Sequence, residues 1–311
     1  MDLELSEEQA QLDDALEHLF SRHAGTERAK ELRGGLDAPL MSALAEAGYL
    51  DVGFDGGPIE AVLVVERAAR HVACGPIAAR ALVAALAGIK DLPTSVSLVY
   101  KSNSISRHAT TADAFVVLDG DEAKVFSPDQ VEIEPVESRF GYPVARVRPL
   151  GGGSVVGTAA DLRRAWQVAI AAEIAATTLS AVQIAAAHVT DRHQFGKPIG
   201  SFQAVQHRLS LSFAQANAAT WLARRAAWFS HDEALTAAAA AYACGVAELA
   251  YVNTHQVCGA IGITAEFGLT ARTMRLIALQ HDLGGRTAHC RHLVAARRTR
   301  TSDPALAPAR G

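Results

Sequence analysis

The stretch from Thr158 to Thr190 limits what this chain can fold into more than any other. It contains no glycine or proline, and between Ala165 and Thr190 its only acidic or basic side chain, histidines aside, is Glu173. Alanine, leucine and glutamine favour helix, and a helix apolar on most sides must be enclosed by others. The spacing therefore predicts one long helix at the centre of a bundle. Phe202, Val205, Leu209 and Phe213 mark the face of a second helix, residues 233–257 a third, and about 269–280 a fourth. Alanine-rich helices can pack closely. The segment RRTRTSDPALAPARG reads as a frayed tail.

Upstream the texture changes twice. Ser6-x-x-Gln9 has the form of a capping box opening a helix to about His23, with Leu12, Leu16, Leu19 and Phe20 as its apolar stripe. Leu40, Leu44 and Ala47 before Gly48, and then Ile59 to Val72, continue the helical period. Asp55-Gly56-Gly57-Pro58 breaks the chain between them. From about residue 91, Val96, Leu98 and Tyr100 alternate with polar residues, as in a half-buried strand. Ala114–Leu118 and Ala123–Phe126 flank a short polar turn and read as a hairpin. Val131, Ile133, Val144, Val147 and Val155 suggest further strands. The fold class is mainly α with a small central β-domain: an N-terminal helical domain (1–90), a shortened β-domain (91–157) and a C-terminal four-helix bundle (158–311).

Composition narrows the function. With 50% hydrophobic and 20% charged residues the chain is expected to fold into a soluble protein. Its net charge of −4 leaves no basic excess for a phosphate backbone, so nucleic acid is not an expected partner. Cys74, Cys244, Cys258 and Cys290 form no CxxC pair and read as reduced thiols. The acidic, amphipathic start is unlike a signal peptide, and apolar runs such as Ala81–Ile89 are too short for a bilayer. A cytoplasmic location, with no membrane partner, is the expectation.

Two segments carry chemistry. Asp191–Gln203, DRHQFGKPIGSFQ, sets a guanidinium beside an aromatic and a glycine turn just before a helix N-terminus. That combination could seat a pyrophosphate and an adenine ring. Gln256–Glu266, QVCGAIGITAE, offers small residues that allow a ligand or another backbone to approach. An interhelix loop and a close helix crossing are the plainer alternatives, and the residues alone leave both open.

RHQFGKPIGSFQAVQHRL resembles the R-x-Q-F-G-x-P-I-x-x-F-Q-x-x-Q-x-x-L stretch of acyl-CoA dehydrogenases, and QVCGAIGITAEFGLTARTMR is similar to that family's Q-x-x-G-G-x-G-x-x-x-E-x-x-x-x-R-x-x-R. The resemblance implies the acyl-CoA dehydrogenase fold and FAD held at a subunit interface. It implies that Arg192 contacts the pyrophosphate, Phe195 the adenosine end, and Gln194 and Gln203 the flavin nucleotide. Gln256, Gly259, Ala260 and Gly262 would form a close turn against it, Ala260 replacing a family glycine. Glu266, Arg272 and Arg275 would form structural ion pairs.

The family removes an α-proton from an acyl-CoA with a glutamate. Where most members carry that glutamate this chain reads Leu279–Arg286, with Gly284 and Gly285 near the position. Where a minority carry it, on the core helix, Arg163 stands. Asp282 is the nearest substitute. Glu173 reads as a satisfied buried group or one facing a neighbouring helix. Ser97–Ser104 replaces the family's substrate-contacting T-E-P-x-x-G-S-D segment. The chain therefore resembles the smaller, non-catalytic partner in heteromeric (α2β2) acyl-CoA dehydrogenases of actinobacterial steroid catabolism. This implies a catalytic partner subunit, a bulky acyl-CoA substrate and electron-transfer flavoprotein as acceptor. A self-sufficient enzyme using Asp282 and a flavin-free structural pseudoenzyme are the rivals. His281, His289, Cys290 and His292 lack the spacing of a zinc set and read as solvent-facing or capping. Cys74, Tyr100 and Trp221 read as packing residues.

Overall fold

The computed structural model describes residues 4–302. Helix α1 (Glu7–His23) opens with the expected reciprocal box: Ser6 Oγ accepts from Gln9 N at 3.2 Å and Gln9 Oε1 accepts from Ser6 N at 3.1 Å. Helices α2 (Thr26–Glu31), α3 (Ala38–Glu46) and α4 (Val52–Asp55) follow. After Gly56 and Gly57, Pro58 opens α5 (Pro58–Arg70), where a missing N–H costs nothing. A π-helical segment, Ala78–Val83, then runs into α6 (Ala84–Leu86).

Two small sheets come next. The first has the order β1 (Val96–Val99), β3 (Ala114–Asp119), β4 (Glu122–Phe126), β7 (Ser154–Thr158), with β1 and β3 parallel. The second has the order β2 (Ser104–Arg107), β6 (Val144–Pro149), β5 (Val131–Val136). The β3–β4 hairpin closes over Gly120 and Asp121, as expected. Pro135 is tolerated inside β5 because that strand is an edge.

Strand β1 differs from expectation: Val96, Ser97 and Val99 are all buried. One face of its sheet, including Val96, Val116 and Leu118, packs on the helices. The other, including Val99, Phe115 and Val117, packs on the second sheet through Ala145 and Val147. Ser97 is satisfied there by donating to the Arg107 carbonyl at 2.8 Å. Strand β2 has no apolar alternation, so its sequence gives no sign of it.

The central helix α7 (Ala159–Asp191) matches its expected span, with Thr158 Oγ1 accepting from Asp161 N at 3.1 Å. It is buried nearly all round and shares one large core with α5, the π-helical segment and the first sheet. Around it lie α8 (Gln203–Trp228), α9 (Glu233–Cys258), α10 (Leu269–Leu279) and α11 (Gly285–Ser302).

Three expectations need correcting. Phe213 is half exposed, because the buried stripe of α8 runs through Leu209, Ser212, Ala216, Ala219 and Ala223. Arg297–Ser302 continue α11 rather than fraying, while residues 303–311 of the expected tail lie outside the described residues. Helices α7 and α9 are long and apolar enough to cross a bilayer by length and composition, which Ala81–Ile89 is not; most of the apolar window of α7 is buried inside the protein.

Candidate functional site

The two motif segments meet at one end of the bundle. Val189, Ile199, Val205, Leu209, Val257, Cys258 and Leu269 form a single hydrophobic cluster beneath both. Arg192 ends α7, and His193–Gln194 pairs with Lys197–Pro198 as a two-stranded hairpin whose central residues, Phe195 and Gly196, both have positive φ. A tight two-residue turn requires that conformation, and it is uncommon for an aromatic residue. Phe195 is 89% exposed, and its ring stands edge-on to Phe202 at 6.1 Å. Lys197 Nζ sits 4.3 Å over the Phe202 ring, on the shaft of the same hairpin.

Arg192, Gln194 and Gln203 are exposed as well, and Arg192 has no carboxylate partner among the described residues. Gln203 stands in the first turn of α8, where backbone N–H groups lack helical acceptors. Gln256, Gly259 and Ala260 are also exposed, and a Cβ built on Gly259 would meet nothing within 4 Å. Only Gly262 is closely packed, against Cys258 and Leu269. The close turn expected there is thus tight at Gly262 and open at Gly259, because Gly259 faces away from the chain's own core.

The expected ion pairs of Glu266, Arg272 and Arg275 are replaced by bonds to neutral acceptors. Glu266 is exposed. Arg272 donates to Ser180 Oγ at 2.6 Å, Thr26 Oγ1 at 2.9 Å and the Gly268 carbonyl at 3.0 Å. Burial, with Arg275 nearby, lowers its pKa to about 10. Arg275 donates to the Ala73 carbonyl at 2.8 Å and stacks on Tyr142 at 5.0 Å. Both arginines tie α10 to the N-terminal helices.

Gly284, one of the positions expected for the base, and the candidate substitute Asp282 line a separate cavity of about 420 Å³ between the π-helical segment, β1, β2, α7 and the turn before α11. At its inner end Arg107 Nη1 and Nη2 hold Glu173 at 3.1 and 2.9 Å, while Nε and Nη2 hold Asp282 Oδ2 at 3.0 and 2.9 Å. Burial opposes the charge on Arg107, but the two carboxylates outweigh it and hold its pKa well above the usual value. The guanidinium also lies 4.7 Å over the Tyr142 ring, whose phenol burial and Glu173 push up to about 12. Glu173, expected to be satisfied or to face a helix, is satisfied by a strand residue.

Neither glycine of the empty base position takes a side chain without strain, since both hold positive φ. Gly284 has a φ of 85°, and a Cβ there would stand 3.1 Å from the Ala288 Cβ. A Cβ on Gly285 would stand 3.0 Å from the Gln280 carbonyl. Arg163 is near His292, outside the cavity lining.

Arg107 is the residue that the sequence did not disclose, since only the fold brings β2 to the middle of α7. Tyr100 packs against the main core, as expected, and also lines the cavity, whereas Trp221 is partly exposed beneath Arg224. His289 is fully buried rather than solvent-facing: Gln167 bridges it and His292, and burial with His292 lowers its pKa to about 4.

Similarity to known proteins agrees with this layout. Residues 152–298 match the family model for the acyl-CoA dehydrogenase C-terminal domain. The chain is 30% identical over 310 aligned residues to acyl-CoA dehydrogenase FadE34 of Mycobacterium tuberculosis, covering 84% of this chain and 43% of that protein. It spans less than half the length of the curated relatives it matches. Its fold is that of a chain in the ChsE4–ChsE5 complex of Mycobacterium tuberculosis (TM-score 0.83, 19% identity, 98% of this chain and 100% of that one). A chain of the Tcur3481–Tcur3483 steroid ACAD shares it too (TM-score 0.80, 20% identity, 96% and 99%).

Proposed function

Because the chain belongs to the acyl-CoA dehydrogenase family, we propose that it is the non-catalytic subunit of a heteromeric dehydrogenase, completing an FAD site whose base lies on a second subunit. The outward presentation of Arg192, Gln194, Phe195 and Gln203 carries this reading. These side chains face away from the chain's own cavity, so a nucleotide they touch must be held largely by another molecule. The residues fit the group: a guanidinium without a carboxylate partner among the described residues and a helix N-terminus suit a pyrophosphate, and a bare aromatic face suits adenine. FAD, when bound, would supply the hydride acceptor for α,β-dehydrogenation of an acyl-CoA. This chain's part is to bind and orient it, with the Phe195 turn excluding water from one end.

Three further points support the assignment. Gly284 and Gly285 stand near the expected base position at positive φ that strains any side chain, and Asp282 Oδ2 is held by Arg107 on two sides. The longer relative FadE34 leaves more than half its length unmatched, room for a second unit of this size. Two neighbours in fold come from a two-name complex and a steroid enzyme, which makes a bulky, steroid-like acyl-CoA the substrate class we favour and electron-transfer flavoprotein the acceptor. A self-sufficient enzyme using Asp282 is the second reading, favoured only by that residue's place in the cavity.

Flavin absorbance separates them. The chain purified alone is expected to be colourless, and to turn yellow and active when co-expressed with a catalytic acyl-CoA dehydrogenase. A yellow lone chain whose flavin is reduced by an acyl-CoA would transfer the assignment to Asp282.

A further inference from the structure

We propose that Gln167, Thr236, His289 and His292 form a proton-operated latch, closed on α11 while both imidazoles are neutral and open, ahead of the rest of the fold, when the pair is protonated. Helix α11 has little else to hold it. Among its described side chains only His289 and Ala296 are buried, His289 completely, and no described residue of α11 belongs to the main core. A helix usually docks through a stripe of apolar groups. Here the largest buried group is one whose charge can change.

One amide serves three helices. Gln167 of α7 gives one N–H to His289 Nδ1 and the other to His292 Nδ1, both at 3.3 Å, and its Oε1 accepts from Thr236 Oγ1 of α9 at 3.1 Å. A primary amide has two N–H donors and both are spent here, so each ring presents a bare Nδ1. His289 Nε2 is buried without a hydrogen-bond partner, the Asp282 backbone being close enough only to favour a proton on the ring. With Nδ1 taken by the amide, that proton belongs on Nε2.

A further proton at Nδ1 of either ring sets N–H against N–H. The amide can meet it only by turning over, and its oxygen then faces both rings, so the second ring must also carry hydrogen on Nδ1. The two histidines therefore switch together. The surroundings oppose the charge. Burial and His292 disfavour a proton on His289. Burial and Arg163 of α7 disfavour one on His292, where Glu233 of α9 favours it. A buried cation so placed is relieved by moving into water.

The fold supplies a joint for that movement. Just before α11, Asp282 is tied to Arg107 and Leu283 sits in the main core, so the turn itself is anchored. Gly284 and Gly285 follow, both at positive φ, and glycines absorb a change of backbone direction at little steric cost. Release of α11 from this joint is a local opening, which a protein can undergo well below its global unfolding free energy. The latch does not rest on the FAD assignment, because none of the outward hairpin residues belongs to it.

Hydrogen exchange of the full chain, alone and in the co-expressed complex, tests this at pH 7.5 and 4.5, with rates corrected for intrinsic exchange. Both histidines have lowered pKa values, so the latch is complete above pH 6.5 and is lost as pH falls toward 4. Protection of α11 should drop on the order of fiftyfold while that of α7 holds, the factor expected for a histidine at about 4 when docked and 6.5 when released. Gln167→Glu puts an acceptor-only carboxylate in the same place, which suits protonated rings, and should keep α11 protected at pH 4.5. Histidine 15N shifts of the parent chain, which need no variant, should show bare Nδ1 and protonated Nε2 on both rings at pH 7.5. The proposal is overturned by Nδ1–H on either ring at that pH, by α11 and α7 losing protection together, or by a Gln167→Glu chain as acid-labile as the parent.

Discussion

The helix α7 serves two places of opposite electrostatic character. At its middle, Glu173 meets Arg107 and Asp282 with every partner drawn from this chain. At its end, Arg192 and the hairpin after it hold charged and aromatic groups in the open, with no carboxylate among the described residues taking up the guanidinium. Charges paired internally serve this chain's stability, whereas those left unpaired on a rigid turn serve another molecule. Substitutions at the two places should therefore fail in different ways.

The largest effect is expected at the internal cluster. Arg107→Ala strands two carboxylates that are each about an eighth exposed, and breaking such a buried pair typically costs about 3–5 kcal/mol. Urea unfolding should show the loss, with flavin uptake by the complex falling only as far as folded chain is lost. Replacing all three members with leucine or methionine should recover most of the stability, because the desolvation cost disappears with the charges. A triple variant as unstable as Arg107→Ala would mean that the cluster does more than pair its own charges.

His289 comes next. Its folded pKa of about 4 lies below the ordinary 6.5, so the unfolded chain binds the proton more readily between those values. The neutral histidine contributes stability that is complete above pH 6.5 and is lost as pH falls toward 4. A shift of that size corresponds to about 3 kcal/mol at most. His292 and His108 are lowered too and act in the same direction. Denaturation midpoints measured from pH 7.5 to 4.5 should fall, and His289→Gln should flatten part of the slope. An unchanged slope would place the acid sensitivity on the other histidines.

Much of this was legible in the sequence, for reasons tied to particular residues. Ser6 with Gln9 and Thr158 with Asp161 are local contacts, so the helix starts could be read directly. The long apolar run of α7 dictated the bundle. Chemically distinctive motifs pointed to Arg192 and Phe195, but not to which way they face. Arg107 was illegible because its partners lie 66 and 175 positions away and because β2 has no apolar alternation. Arg272 and Arg275 were expected in ion pairs, yet their partners are two hydroxyls, two carbonyls and the Cys74 thiol, which sequence spacing does not reveal.

The smallest stability effect, and the sharpest contrast, is expected at the hairpin. Arg192→Ala and Phe195→Ala remove groups that touch almost nothing in this chain, so unfolding free energy should move by no more than about 0.5 kcal/mol. Phe195→Gly isolates the ring's part, since glycine takes the positive φ at this turn without strain and removes the ring while easing the backbone. If the aromatic face is what the nucleotide meets, Phe195→Gly should be neutral or stabilising for the chain and still lower the flavin-to-protein ratio of the co-expressed complex. Losing one stacking contact implies roughly a tenfold weaker hold on FAD. Flavin content equal to the parent's in both Phe195 variants and in Arg192→Ala would show that the exposed turn serves no nucleotide, and the contrast between the two ends of α7 would then be one of exposure alone.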